Sequence, residues 1–430
     1  MLLRASLGIL LLLLTFNARA DLEITISGGK TAAQPIAIVP FSAPSGVTFD
    51  MAKIVDADLS RTGTFRTLAR ADMLEKPSDP AAVNYANWRQ VGMDTVVIGQ
   101  MKPEADGKVS TRFFVLDAVR GQQLMGYDMP AAPPEQLRQV AHQIADLIYE
   151  KLTGIPGAFN TKIAYIAASG IGVTRKFQLI VADADGDSPH VVAISREPLM
   201  SPSWSPDRKR LAYVGFDHGH STIYLHTLAS GQVRKLVSEK GINGSPAWSP
   251  DGRSMAVTLS FETNPDIYII DIETGTRRRI TQHYGIDTEA AWSPDGKNLV
   301  FTSDRGGQPQ IYQVSVASGG DPKRLTFEGK QNLRASYSPD GKSLVLVTLD
   351  GGRYRIATLD LATNDLRVLT DGPQDESPSY SPNGVVIIYT TQGAHGVSEL
   401  GTVSIDGRVK QRLRQAGGDV RELAWSPLLH

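Results

Sequence analysis

The sequence predicts a small α/β domain followed by an all-β six-bladed β-propeller closed by its own C-terminal strand. Three observations predict it. First, a word made of an aromatic residue, Ser-Pro and, in most copies, Asp-Gly recurs along the chain. Its copies are headed by Trp204, Trp248, Trp292, Tyr337, Tyr380 and Trp425, at intervals of 44, 44, 45, 43 and 45 residues. A period in the low forties with strand-rich content is the mark of a propeller blade. Second, each word sits among strand-like segments in a fixed order: an apolar stretch before it, an alternating stretch after it (297–303, 342–348), an aromatic–aliphatic stretch (223–228, 267–272, 311–316) and a basic edge (276–281, 322–326). That makes four strands per repeat, and Lys and Arg on the outermost strand resist edge-to-edge pairing. Third, the repeat region opens one strand short and ends one strand over. Residues 162–168, 178–184 and 190–195 match the second, third and fourth strands of a blade, and 421–427 match a first strand. Pairing the two ends completes a sixth blade and leaves no open sheet edge.

In chain order, residues 1–20 read as a secretion signal. Arg4 supplies the positive start, 7–16 an apolar core too short to span a bilayer, and Ala18-Arg19-Ala20 the cleavage site, with cutting after Ala20. No twin arginine precedes the apolar run, so the general export route is expected. No cysteine stands at the cleavage site, no lipid anchor is implied, and no later stretch is long and apolar enough for a membrane helix. An exported, soluble chain without membrane insertion is the expectation. Residues 21–156 form the α/β domain. Strands are expected at 22–27, 35–41, 95–101 and 110–117 with a return at 122–129, a helix at 51–59, and an amphipathic helix over 137–152 beginning after Pro133-Pro134. Gly154-Ile155-Pro156-Gly157 is the linker, and 160–430 is the propeller. Within each repeat, Ser-Pro-Asp-Gly suits a tight turn: proline presets φ, aspartate caps the local backbone and glycine accepts positive φ. The repeated Trp and Tyr are expected as core packing between strands.

Composition excludes several classes of function. With no cysteine there are no disulfides, thiolate metal sites or cysteine nucleophiles. The 44 basic and 45 acidic residues give no excess of positive charge to hold nucleic acid. There is no G-x-S-x-G elbow, P-loop or H-E-x-x-H. Propeller-bearing prolyl peptidases carry similar repeats followed by a hydrolase domain, which is not expected where the chain stops at the propeller. Asp217-His218-Gly219-His220 is the best metal candidate, on a loop between second and third strands, but no third ligand is evident. Asp183-Ala184-Asp185-Gly186-Asp187 faintly resembles a calcium loop, yet its twelfth position is Ile194 rather than glutamate, so it reads as a strand–strand turn. The run Thr276-Arg277-Arg278-Arg279 reads as a solvated edge. No catalytic residue, metal or cofactor is expected. What remains is surface: the segments before each first strand, including Met200, Ile242, Ser245, Thr288, Arg334 and Glu376, share one face and differ from blade to blade. Variable loops on a rigid scaffold suit recognition.

The layout resembles the TolB family, periplasmic components of the Tol–Pal system, over the whole chain. The repeat words are shared by several propeller families. More specific are Tyr149-Glu150-Lys151-Leu152-Thr153-Gly154, leading to Ala158-Phe159 and Ile163-Ala164-Tyr165-Ile166, and Pro198-Leu199-Met200-Ser201-Pro202. The resemblance implies a periplasmic, monomeric, non-enzymatic protein that binds the lipoprotein Pal at the channel mouth through loops falling on Met200, Ile242, Ser245 and Thr288. Thr288 has the family's residue type, whereas Ile242 stands in place of a histidine and Ser245 in place of a small apolar residue. It further implies that the mature N-terminal segment, Asp21, Leu22, Glu23, Ile24, Thr25, Ile26 and Ser27, binds TolA and signals to the Pal site. Other outer-membrane-associated partners would fit the same role, which is outer-membrane invagination during division and envelope integrity. From the residues alone, the segment's alternation allows pairing with a partner strand or docking on its own domain. The competing expectation is a periplasmic lyase or hydrolase acting in the channel, which would require convergent titratable groups there.

Overall fold

The computed structural model describes residues 24–26, 33–45, 47–262, 264–393, 396–413 and 417–428. The predicted signal segment, the cleavage site after Ala20, and Asp21, Leu22, Glu23 and Ser27 lie outside the described residues. Among those described, no helix is long and apolar enough to cross a membrane.

The N-terminal domain is one mixed sheet with helices on both faces. Apart from β1 (Ile24–Ile26), its strands are β2 (Gln34–Ile38), β3 (Phe65–Thr67), β4 (Thr95–Pro103), β5 (Val109–Asp117) and β6 (Gln122–Ala132). They lie in the order β3-β2-β4-β5-β6, with β2 parallel to β3 and β4 and the rest antiparallel. Strand β2 explains why its sequence is apolar at successive positions. Ile36 and Ile38 face one core with α1 (Met51–Arg61) and α3 (Leu137–Thr153), while Ala37 and the following Val39 face a second core around Trp88 of α2 (Tyr85–Gln90). A strand covered on both faces loses the apolar–polar alternation. Strand β3 and helix α2 are not anticipated by the sequence. Both are short, and neither length suffices for a periodic signal.

The propeller has six blades. Blade 1 pairs the closing strand Asp419–Trp425 with Lys162–Ser169, then Lys176–Asp183 and His190–Ser195. The first strands of blades 2 to 6 are Met200–Trp204, Asn243–Trp248, Asp287–Trp292, Asn332–Tyr337 and Asp375–Tyr380. The closure expected from the sequence is therefore present, with Trp425 opposite Ile163 and Asp419 opposite Ala168. The repeated words form the turns between first and second strands. The serine hydroxyl donates to the aspartate or asparagine side chain two residues on, in five copies, at 2.5–2.8 Å. Trp204 Nε1 donates to Ala424 O at 3.2 Å and Trp292 Nε1 to Ala247 O at 3.0 Å, so each ring fastens its blade to the one before it.

One element goes somewhere the sequence left open. Strand β1 pairs neither with a partner nor with its own domain. It adds a fifth strand to blade 6, antiparallel to Val409–Arg412, with Ile24 opposite Gln411 and Ile26 opposite Val409. The end of α1 packs beside the same strand: a Cβ on Gly63, which has φ +72°, would lie 3.0 Å from Val409 Cγ2.

Candidate protein-binding site

The antiparallel registers divide the propeller into two faces. Each first strand starts opposite the end of its second strand, as in Thr288 opposite Thr302 and Glu376 opposite Thr390. The starts of first strands and the loops joining second to third strands therefore share one face, the mouth face. The Ser-Pro turns lie on the other face, which the N-terminal domain meets at blades 1 and 6 and the linker at blades 2 and 6. Asn383 Nδ2 donates to Pro156 O at 2.9 Å, Arg208 Nη1 to Asn160 O at 3.4 Å, and Trp425 Nε1 to Thr161 Oγ1 at 2.7 Å. Among the described residues, the N-terminal domain leaves the mouth face free.

A ring of six residues surrounds the channel at that mouth. Each first strand carries a β-bulge. At each bulge the residue three before the repeated aromatic has a left-handed backbone: Ser201 (φ 50°), Ser245 (49°), Glu289 (57°), Arg334 (52°), Ser377 (53°) and Glu422 (44°). For residues with a Cβ this conformation costs about 1 kcal/mol or more apiece. The bulge turns these side chains inward, where all six line one cavity.

Arg334 crosses the ring. Its Nε donates to Glu289 Oε1 (2.8 Å), Nη2 to Glu422 Oε1 (3.0 Å) and Nη1 to Ser377 Oγ (2.8 Å). Glu422 Oε2 also accepts from Ser201 N (2.8 Å) and Oγ (3.1 Å). Burial opposes the charge on Arg334, but Glu422 and Glu289 outweigh it and push its pKa up. Burial likewise opposes ionisation of Glu422, and the Arg334 guanidinium and Ser201 hold it below the usual carboxylate range. Both ring carboxylates are thus committed to a guanidinium, and neither is poised as a free acid or base.

The other expected site residues surround this ring. Met200 is half-buried against the core of blades 2 and 3. Ile242 is 49% exposed, with its amide donating to Ser260 Oγ at 2.7 Å. Thr288 Oγ1 lies 3.2 Å from Thr258 Oγ1 on the neighbouring blade, and Glu376 accepts from Gln374 Nε2 at 2.7 Å. Farther out on the same face, Ile171, Tyr284 and Phe327 are 90%, 84% and 69% exposed. Apolar side chains so exposed around a structured polar centre are what a protein-docking face requires. The sequence reading places Ser245 and Arg334 in the site but not Ser201, Glu289, Ser377 or Glu422. The signal was available as the position three residues before each aromatic.

The metal candidate from the sequence is taken up by other contacts. His218 is 95% exposed at a left-handed turn position, and Asp217 accepts from Lys235 Nζ at 2.5 Å. The arginine run is neutralised locally: Arg277 pairs with Glu239 (2.7 Å), and Arg279 with Glu262 (2.6 Å) and Asp266 (2.5 Å).

A family model described as the TolB beta propeller domain matches residues 149–429, and one described as the TolB amino-terminal domain matches residues 22–124. The chain belongs to the TolB family. It is 56% identical over 421 residues to the Tol-Pal system protein TolB of Methylococcus capsulatus, covering 98% of each chain. To the Tol-Pal system protein TolB of Xanthomonas campestris pv. campestris it is 51% identical over 432 residues, covering 99% of this chain and 97% of that one. The crystal structure of TolB from Acinetobacter baumannii superposes with a TM-score of 0.86 at 40% identity, covering 95% of this chain and 100% of the other. A TolB chain of this kind presents one face of its propeller to its own N-terminal domain and the other to the surroundings.

Proposed function

We propose that this chain is a non-enzymatic periplasmic component of the Tol–Pal system. It would bind the lipoprotein Pal on the mouth face, around Met200, Ile242, Ser245, Thr288, Arg334 and Glu376, and TolA through residues 21–27. Linking the two would support outer-membrane invagination during division and envelope integrity. The observation that carries the reading is the mouth face itself: a polar ring of inward-turned residues among exposed apolar side chains, on the side away from the N-terminal domain. The two ring carboxylates, Glu289 and Glu422, are engaged by Arg334, which disfavours a lyase or hydrolase acting through them.

The strand pairing of β1 supplies a route for coupling. Because β1 runs antiparallel to Val409–Arg412, its first residue lies toward the mouth face and its last toward the N-terminal domain. A β1 docked on blade 6 has its backbone groups on one edge occupied, so a partner that pairs through that same edge must first strip it from the propeller. Two sites that favour different states of one strand are coupled reciprocally. The test is calorimetric binding of the mature protein to the periplasmic domain of its own Pal, with and without residues 21–31. Binding by both forms, with an affinity that differs between them, is expected. Failure of both forms to bind would remove the Pal assignment.

A further inference from the structure

The second place where charged residues gather lies on the other side of the propeller, where the two domains meet. Helix α3 has two faces. Val140, Ala141, Ile144, Ala145 and Ile148 pack on its own domain, whereas Arg138, His142 and Asp146, four residues apart, face the propeller and the linker. Asp146 accepts from the amides of Phe159 (2.7 Å) and Asn160 (3.2 Å) and so holds the linker. Arg138 forms ion pairs with all three aspartates of the blade-1 turn that superficially resembles a calcium loop: Asp183 (3.1 Å), Asp187 (3.2 Å) and Asp185.

His142 lies between the domains. Its Nδ1 is 2.6 Å from Asp58 Oδ2 of α1, and its Nε2 is 4.0 Å from Asp185 Oδ2 of the propeller turn. The ring is 98% buried, and Nε2 has no hydrogen-bond partner. The surrounding charges come from every element packed there. They are Asp58 and Arg61 on α1, Arg138 and Asp146 on α3, Asp183, Asp185 and Asp187 in the turn, Lys162 in blade 1 and Arg208 in the blade-2 turn near Asp146. Around the ring, five carboxylates face four fixed cations, Arg61, Arg138, Lys162 and Arg208. One positive charge on His142 balances them. A metal ion is a poorer occupant, because Arg61 already holds Asp58 and Arg138 already holds Asp185.

We propose that His142 is a proton-operated clasp between the N-terminal domain and the propeller: the imidazolium bridges Asp58 to Asp185 across the interface, and loss of its Nε2 proton replaces that bridge with a lone pair facing a carboxylate. A neutral ring keeps its Nδ1–H on Asp58, so the bond inside the N-terminal domain survives and the charge attraction across the interface is lost. Burial opposes charge on the ring, but Asp58 and Asp185 outweigh it, so His142 keeps its proton above the usual imidazole range. Burial also pushes Asp146 up to about 7. The Asp185 carboxylate stands beside the Nε2 proton only in the docked state, and burial of Asp146 at the linker favours its protonated form, so docking is strongest at low pH and weakens as pH rises through their titration. Arg61 Nη1 donates to Ala184 O at 3.3 Å whatever the state of His142, so the interface loosens rather than separates. Strand β1 and the end of α1 share the blade-6 strand beside this junction, which places the N-terminal segment within reach of the loosening.

Two measurements test the clasp without any partner protein. The first is an NMR titration of the His142 ring in the full mature chain, assigned with His142→Gln. The midpoint is expected above 6.5 and should move down in Asp185→Asn. A midpoint at or below 6.5, or one that Asp185→Asn leaves unmoved, overturns the proposal. The second uses the absence of cysteine from the sequence. Spin labels at Glu104→Cys and Glu273→Cys, exposed positions on the two domains, report the interdomain distance. The distribution is expected to broaden between pH 6 and pH 8.5 in the parent and to broaden less in His142→Gln, where only Asp146 still titrates in that range. Equal widths in the parent, or the same pH response in His142→Gln, also overturns it.

Discussion

At the scale of single residues, Arg334 is the group on which the mouth ring depends. It spans first strands of three blades, and without it Glu289 and Glu422 would face each other across a narrow, half-buried opening. Breaking a buried pair by removing one partner costs about 3–5 kcal/mol, and partial exposure of this guanidinium reduces that to about 2 kcal/mol. Arg334→Met is expected to lower urea stability by about that much, and adding Glu422→Gln should restore most of it. The acid limb gives an independent check. Glu422 is held below its ordinary value of 4.5 when folded, so its stabilising contribution is present above pH 4.5 and disappears as pH falls below it. The stability difference between the parent and Glu422→Gln should therefore shrink between pH 6 and pH 3. Single-residue roles were the least legible part of the sequence. Arg334 was visible as a loop residue, but its role needs Glu289, 45 residues earlier, and Glu422, 88 residues later, at one opening. Only the closed circle brings those distances together.

At the scale of elements, the sequence was legible wherever an element repeats or is long enough to show its period. The six repeated aromatics announced the blades, and the apolar period of α3 announced the helix within a residue of its observed end. The helix's second face was not legible. The apolar period says nothing of Arg138, His142 and Asp146, whose shared role appears only when the propeller turn and the linker are set against them. The same holds for Gly157. It was recognisable as a linker residue, and the structure adds that a Cβ there would come within 2.3 Å of Asp146 Cα. Gly157→Ala is therefore expected to force the linker off α3 and to destabilise the junction by about 1–3 kcal/mol, the usual cost of overpacking. Thermal unfolding of the variant should begin at a lower temperature. Gly154→Ala, where an added Cβ meets nothing within 4 Å and only the left-handed φ of +75° is strained, should cost about 1 kcal/mol.

At the scale of the whole molecule, the two faces of one propeller differ in what packs against them, and the division follows from strand direction. Turns that spell Ser-Pro-Asp-Gly fall on the face that the N-terminal domain covers, where sameness is an advantage because each turn fastens its own blade. The starts of first strands fall on the free face, where each blade can differ at no cost to the turns. A partner bound at the mouth should therefore respond to substitutions on that face alone. Thr288→Arg places a long cation beside Thr258, at the edge of the ring. It is expected to weaken binding of the Pal periplasmic domain by about tenfold or more, ~1.4 kcal/mol, while leaving the melting temperature near that of the parent. Lys209→Glu reverses a charge in the first Ser-Pro turn, on the domain face, and should leave Pal affinity unchanged. Equal losses from both substitutions would mean that the partner does not read the mouth face. No loss from either would place its site elsewhere on the chain.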